Sequence, residues 1–238
     1  MDPSAINFDP SASSANATCQ YNSFYVRFQY MWDGAPFEAN RIYSLDSTFL
    51  AIKTIQCYFS NLILEDTVGT TYHLSPKYLS LFQDQSTYFF KNIPIRYLEK
   101  FSINFGLDPS TNDQVNQLIN ESGHPLEEVS PESMHWTNGE GFIFLKIKGN
   151  VDKNGDGIPN GNETFNYEIG TDQLFQSLVF NMSPEWLSIN DTIYCHIEVS
   201  NLFNTIDFQL EDQTNSIDDP NLALRIRDNF TGSISISK

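Results

Sequence analysis

The apolar positions of the chain fall into short alternating runs separated by turn residues. "FYVRFQYMW" (24–32) alternates and is rich in aromatics, the period of a half-buried strand. "DGAPFEANR" reads as a loop. "STFLAIKTIQCYFSNLILED" (47–66) is a long β-prone run, bent or interrupted near Lys53. "VGTTYHLS" reads as a turn and a strand, and "STYFFKNIPI" and "YLEKFSINFGL" as two further strands, with Pro94 at the break. In "STNDQVNQLINES" the period changes. Val115, Leu118 and Ile119 share one face of a helix, and Ser110 or Thr111 offers the N-cap. A polar loop over 121–133 follows. "GFIFLKIKG" (141–149) is a strand with Leu145 and Ile147 on one face and Lys146 and Lys148 on the other. "TFNYEIG", "LFQSLVFNM" and "TIYCHIEVSNLF" are strands, "DPNLALRIRDNF" is a short helix and "TGSISISK" a fraying tail. No period of roughly 20–50 residues repeats. The expected fold is an all-β antiparallel β-sandwich with one or two short helices, forming one domain over 23–238 behind a flexible leader, 1–22.

Between two of the strands lies "VDKNGDGIPNGNE" (151–163). Asp152, Asn154 and Asp156 alternate, Gly157 permits a sharp turn, and Glu163 closes the series, the ligand order of a calcium loop. Calcium takes six to eight oxygens. Asp152, Asn154 and Asp156 supply side-chain oxygens, Ile158 its carbonyl, Asn160 a direct or water-bridged contact, and Glu163 two oxygens. An EF-hand passes calcium binding to two helices, whereas strands flank this loop. The expected role is therefore structural: an ordered hairpin connection that binds calcium weakly, at about 10⁻⁴–10⁻³ M. The alternative is a polar turn built on Asp-Gly and Asn-Gly.

Composition narrows the choices. Thirty acidic against 13 basic residues give a net charge of −17, which repels nucleic acid and anionic membranes and attracts cations. No apolar run is long enough for a transmembrane helix. Cys19, Cys57 and Cys195 form no CxxC; Cys57 and Cys195 either bridge the two sheets or stay as buried thiols. Nucleophile-elbow, zincin and phosphate-loop motifs are absent, so the chain reads as non-enzymatic, although a scattered hydrolase site would be invisible. Trp32, Trp136 and Trp186 are candidate stacking platforms for a second reading, a calcium-stabilised carbohydrate- or ligand-binding sandwich.

Two resemblances add to this. In the leader, Asp2, Pro3, Ala5, Asn7, Phe8, Pro10, Ala12, Cys19 and Tyr21 follow the Cys-x-Asp-Pro-x-Ala-x-Asn-Tyr-x-Pro-x-Ala module of bacterial surface proteins. The module's first cysteine would precede residue 1. The likeness implies an exported protein, periplasmic or on the outer cell surface, and admits a lipid anchor upstream. Further on, "SMHWTNGEGFIFLKIKG" (133–149) carries Met134, Trp136, Gly141, Phe142, Phe144, Lys146 and Gly149 in the order of the MbnP-like hallmark. "IKTIQCYFSNLIL", "KNIPIRYLEKFSINFGLD" and "TFNYEIGT" resemble the family's other segments, so the likeness spans about residues 23–205. It implies an exported copper-binding protein, holding the metal through histidines and a tryptophan-derived kynurenine made by a di-haem peroxidase-like partner. Trp136 stands at the tryptophan position. Asn138 and Glu168 stand where the family places nitrogen ligands, and the four-cysteine pattern is missing. His135 and His196 are the candidate replacements, which makes the implied copper site degenerate. The alternatives are a partly buried sandwich aromatic for Trp136, an exposed loop residue for His135, and a strand histidine facing away from Cys195 for His196.

Overall fold

The computed structural model describes residues 2–14, 18–82, 87–128, 133–136 and 140–238. In chain order the strands are β1 (Asn22–Trp32), β2 (Ala35–Pro36), β3 (Ile42–Leu45), β4 (Thr48–Asp66), β5 (Thr71–His73), β6 (Tyr78–Leu81), β7 (Thr87–Ile93), β8 (Tyr97–Phe105), β9 (Ile143–Val151), β10 (Thr164–Gly170), β11 (Gln176–Trp186), β12 (Thr192–Glu198), β13 (Gln213–Thr214) and β14 (Ile234–Ser237). Helices α1 (Pro109–Asn112) and α2 (Val115–Leu118) follow β8, and α3 (Pro220–Gly232) precedes β14.

Among the described residues the strands make a five-stranded sheet, β14-β12-β1-β2 with β7 also on β1, and a nine-stranded sheet. The larger one runs β11-β8-β4-β9-β10-β13, and β3, β5 and β6 also pair with β4. The expected all-β sandwich is what forms. Two pairings, β1 with β12 and β10 with β13, are parallel rather than antiparallel. Their partners are far apart in sequence, so no hairpin turn dictates their direction.

Alternation sets the layers. On β1, Phe24, Val26 and Phe28 turn inward and Arg27 outward. Phe28 stacks on Phe59 of β4 at 5.4 Å, joining the two sheets. On α3, Leu222, Ala223, Ile226 and Phe230 are buried along one face, and Phe230 stacks on Phe59 at 6.1 Å. The long run 47–66 is one strand. Its register against β9 shifts between Ile52 and Thr54, so the expected bend near Lys53 is a β-bulge.

Three elements differ from the pattern. "STNDQVNQLINES" forms two single turns instead of one helix. Asp108, ahead of Pro109, is the N-cap in place of Ser110 or Thr111, its side chain accepting from the Thr111 N–H. "TGSISISK" is not a fraying tail, because β14 pairs with β12 from Tyr194–Ser237 to Ile197–Ile234. "KYLSL" supplies β6, which the pattern did not single out.

Cys57 and Cys195 are buried, free thiols, so no bridge joins the sheets through them. Burial pushes the Cys57 thiol up to about 12 against the lesser, opposing hydrogen bond with Tyr30, and keeps it protonated. The leader folds back on itself. Ile6 donates to the Gln20 carbonyl at 2.8 Å, the Tyr21 hydroxyl reaches Asp2 at 2.7 Å, and Ala5 is buried.

Candidate metal sites

Val151 ends β9 and Thr164 opens the antiparallel β10, so the loop between them is a long hairpin connection. Asp152 is the loop's buried anchor, 7% exposed. Its Oδ1 accepts from the N–H groups of Gly155 and Asp156 at 2.8 and 3.1 Å, and its Oδ2 from Gly157 at 2.8 Å. The next two alternate residues repeat the device: Asn154 Oδ1 accepts from Asp156 N–H at 2.8 Å and Asp156 Oδ1 from Ile158 N–H at 2.9 Å. Between these turns the backbone passes through left-handed conformations, which glycine takes without strain: Gly155 and Gly157 lie at φ +76° and +82°. Glu163 closes the ring, with Oε1 accepting from Asn154 N–H and Oε2 from Asn160 Nδ2, each at 2.9 Å.

All six nominated residues therefore belong to one loop web. The oxygens rest on the loop's own N–H groups, and among the described residues no three His, Cys, Asp or Glu side chains form a metal cluster. Half of the nominated donors are neutral, namely Asn154, Asn160 and the Ile158 carbonyl. The donor set is therefore all oxygen, half of it charged, the kind that suits hard cations in general. One supporting residue escaped the sequence reading: Asn150 on β9 is 3% exposed and donates to the Asn160 carbonyl. A polar side chain two residues before the loop was its only signal.

The second candidate site lies on the outward face of the larger sheet. Segment 133–136 continues its pairing: Trp136 N–H donates to the Gly141 carbonyl at 3.1 Å, and Ile143 N–H to the Met134 carbonyl at 2.8 Å. The Trp136 ring lies over Gly170, where a built Cβ would stand 2.5 Å from the indole Cη2. Its Nε1 is buried without a hydrogen-bond partner among the described residues. His135 Nε2 is 3.3 Å from Glu128 Oε1 in ion-pair range, at an angle that makes no hydrogen bond. Lys146 faces outward as expected, yet its side chain is only 6% exposed because segment 133–136 covers it. Its Nζ donates to the Ser133 carbonyl at 2.6 Å and stands 3.3 Å from Glu168 Oε1 on β10.

The structure thus brings Glu168 to Lys146, and the segment that carries His135 and Trp136 lies on the same face through Ser133 and Gly170. His196 is not part of that group. It lies on β12 in the other sheet, turned outward, with Nε2 3.1 Å from Gln29 Oε1. Asn138 falls outside the described residues. These residues do not fit copper. A single imidazole, His135, stands beside Trp136 among the described residues, and the ammonium of Lys146 holds Glu168, the other nominated donor, where it would repel a metal cation. Of the stacking platforms, Trp32 is 6% exposed under Tyr43, at 4.3 Å between ring centroids, and Trp136 is half-buried. Trp186, 41% exposed, meets the edge of Tyr97 at 5.0 Å.

The MbnP family model matches residues 21–220, most of the chain. The chain belongs to the MbnP family. The solved structure of MbnP from Methylosinus trichosporium superposes with a TM-score of 0.60 at 14% identity, covering 85% of this chain and 86% of that one. None of the curated proteins matches the sequence. The shared fold shows that the MbnP sandwich is kept here at low identity.

Proposed function

We propose that this MbnP-family chain is an exported, non-enzymatic protein of the bacterial periplasm or outer surface. Its 152–163 loop binds one structural calcium ion through Asp152, Asn154, Asp156, the Ile158 carbonyl, Asn160 and Glu163. The observation that carries this reading is the closure of the loop by Glu163 onto Asn154 and Asn160, which draws the six donor residues into one ring. Calcium supplies charge neutralisation among three carboxylates held in one short loop. Asn150 and Asp152 tie the loop to the sheet without a metal, so in this reading the ion orders only the loop's interior and the core folds without it.

In this reading the copper position is degenerate. The Lys146–Glu168 ion pair takes the place of a nitrogen donor set, and Trp136 acts as a packing residue over Gly170. A di-haem peroxidase-like partner, implied by the family likeness, then has no copper site to complete. The test is elemental analysis with intact-mass measurement, after expression beside such a partner in medium holding both metals. The expected result is about one calcium per chain, substoichiometric copper, and a mass that leaves Trp136 as tryptophan. Stoichiometric copper that disappears in Trp136→Phe overturns the degenerate-site reading.

A further inference from the structure

Most basic side chains of this acidic protein stand against carboxylates: Arg41 with Glu38, Lys77 with Asp108, Lys100 with Glu65, Lys146 with Glu168, Lys153 with Asp212, Arg225 with Glu211, Arg227 with Asp228 and Lys238 with Asp191. Arg27 and Lys91 do not. Among the described residues neither has a carboxylate partner. Arg27 Nε reaches the Thr87 hydroxyl at 3.2 Å, and Lys91 Nζ lies 5.5 Å from the Phe89 ring centroid. Both stand on the outward face of the five-stranded sheet.

That face is a platform three strands wide. Tyr25 on β1 pairs with Phe89 on β7, and their rings stack at 4.7 Å and 29°. Phe89 is 40% exposed. One pleat along β1 from Arg27 comes Gln29, paired with His196 of β12, their side chains 3.1 Å apart. Aromatic rings, a hydrogen-bonding amide–imidazole pair and two cations with no carboxylate partner among the described residues thus share neighbouring rows about 4.8 Å apart across the strands. The strands of this face carry a single carboxylate, Glu198 at the far end, and it is engaged by the N–H groups of Asp33 and Gly34 at 2.8 and 3.1 Å.

We infer that this face binds an acidic, carboxylate-bearing polysaccharide. Aromatic rings take the apolar faces of sugar rings, and Gln29 with His196 offers donor and acceptor to neighbouring hydroxyls. Arg27 and Lys91 meet the carboxylates, the one complement the face lacks. Keeping an edge strand soluble explains a lysine on β7, but not an arginine on β1, which has β12 on one side and β7 on the other. The net charge of −17 opposes any polyanion, yet at about 0.1 M salt the Debye length is about 10 Å, so the local cations govern contact. This inference does not rest on the calcium loop.

The test is calorimetry with short oligogalacturonates, in chelator because calcium cross-links polyuronates. The same oligomers as methyl esters and oligothymidylate of equal length are the comparison ligands. The expected result is saturable binding of the free acid, at least roughly tenfold weaker for the methyl ester and for Arg27→Gln with Lys91→Gln. Arg41→Gln with Lys100→Gln, which changes net charge equally elsewhere, leaves binding intact. Phe89→Ala weakens acid and ester alike. No heat at millimolar oligogalacturonate overturns the inference, as does equal binding of the ester, indifference to the Arg27/Lys91 change in a variant that melts like the parent, or tighter binding of oligothymidylate.

Discussion

Replacing Lys146 with methionine keeps an unbranched chain as far as Cε and deletes the ammonium. Lys146 and Glu168 are 6% and 19% exposed, and the ammonium also holds the Ser133 carbonyl at 2.6 Å. Breaking a buried pair by removing one partner costs about 3–5 kcal/mol. Glu168 keeps some access to water, which trims the expected loss to about 2–3 kcal/mol. For a chain of 238 residues that lowers the melting temperature by about 5–10 °C. Glu168→Leu leaves an uncompensated ammonium under segment 133–136 and costs a similar amount. The double variant removes both charges together and should recover at least half of the summed losses. Thermal melts of the four proteins close the cycle, and Trp fluorescence reads whether Trp136 loosens when Ser133 loses its donor. Additive losses, or a Lys146→Met protein that melts like the parent, would refute the claim that this pair fills the site.

Gly106 sits at φ +81°, and a Cβ there would stand 2.3 Å from Phe144 Cδ2. Left-handed strain and overpacking together should cost Gly106→Ala about 2–5 kcal/mol, read as a lower urea midpoint. Burial alone would raise the Asp108 carboxyl, but hydrogen bonds from Ser110, Thr111 and Lys77 outweigh it and hold it at about 2. A depressed carboxyl contributes stability that is present above the ordinary 3.8 and lost as pH falls towards about 2. Asp108→Asn should therefore flatten the stability curve in that window and leave its shape near pH 7 unchanged.

Much of the architecture was legible because alternation and burial agree. Phe24, Val26 and Phe28 point inward on β1 as their spacing requires, and the bend near Lys53 appears as a bulge. The tail was not legible, since Ile234 and Ile236 alternating with serines look like disorder until β12 offers a partner. The helix over 110–122 was misjudged because Asn112 is drawn off to accept from Phe142 N–H at 2.7 Å and to donate to Asp172 at 2.9 Å. The residues singled out in 152–163 meet in one hydrogen-bonded loop because they are neighbours in sequence. The group around Trp136 was not legible, because Lys146 and Glu168 meet only through the β9–β10 register, and nothing local places His196 on the opposite sheet.

The central claim is that the 152–163 loop takes its order from calcium, and titration of the metal-free protein with calcium by calorimetry and thermal melting tests it most directly. The account predicts one site. At ten times Kd the native state gains about 1.4 kcal/mol, which raises the melting temperature by about 3–6 °C. Cleavage within 152–163 by protease falls accordingly, magnesium substitutes poorly, and Asp156→Ala with Glu163→Ala abolishes the calcium response while the sandwich still folds. A parent protein that shows no heat at millimolar calcium, and whose melting and proteolysis ignore both calcium and chelator, contradicts the account and leaves the loop a polar turn.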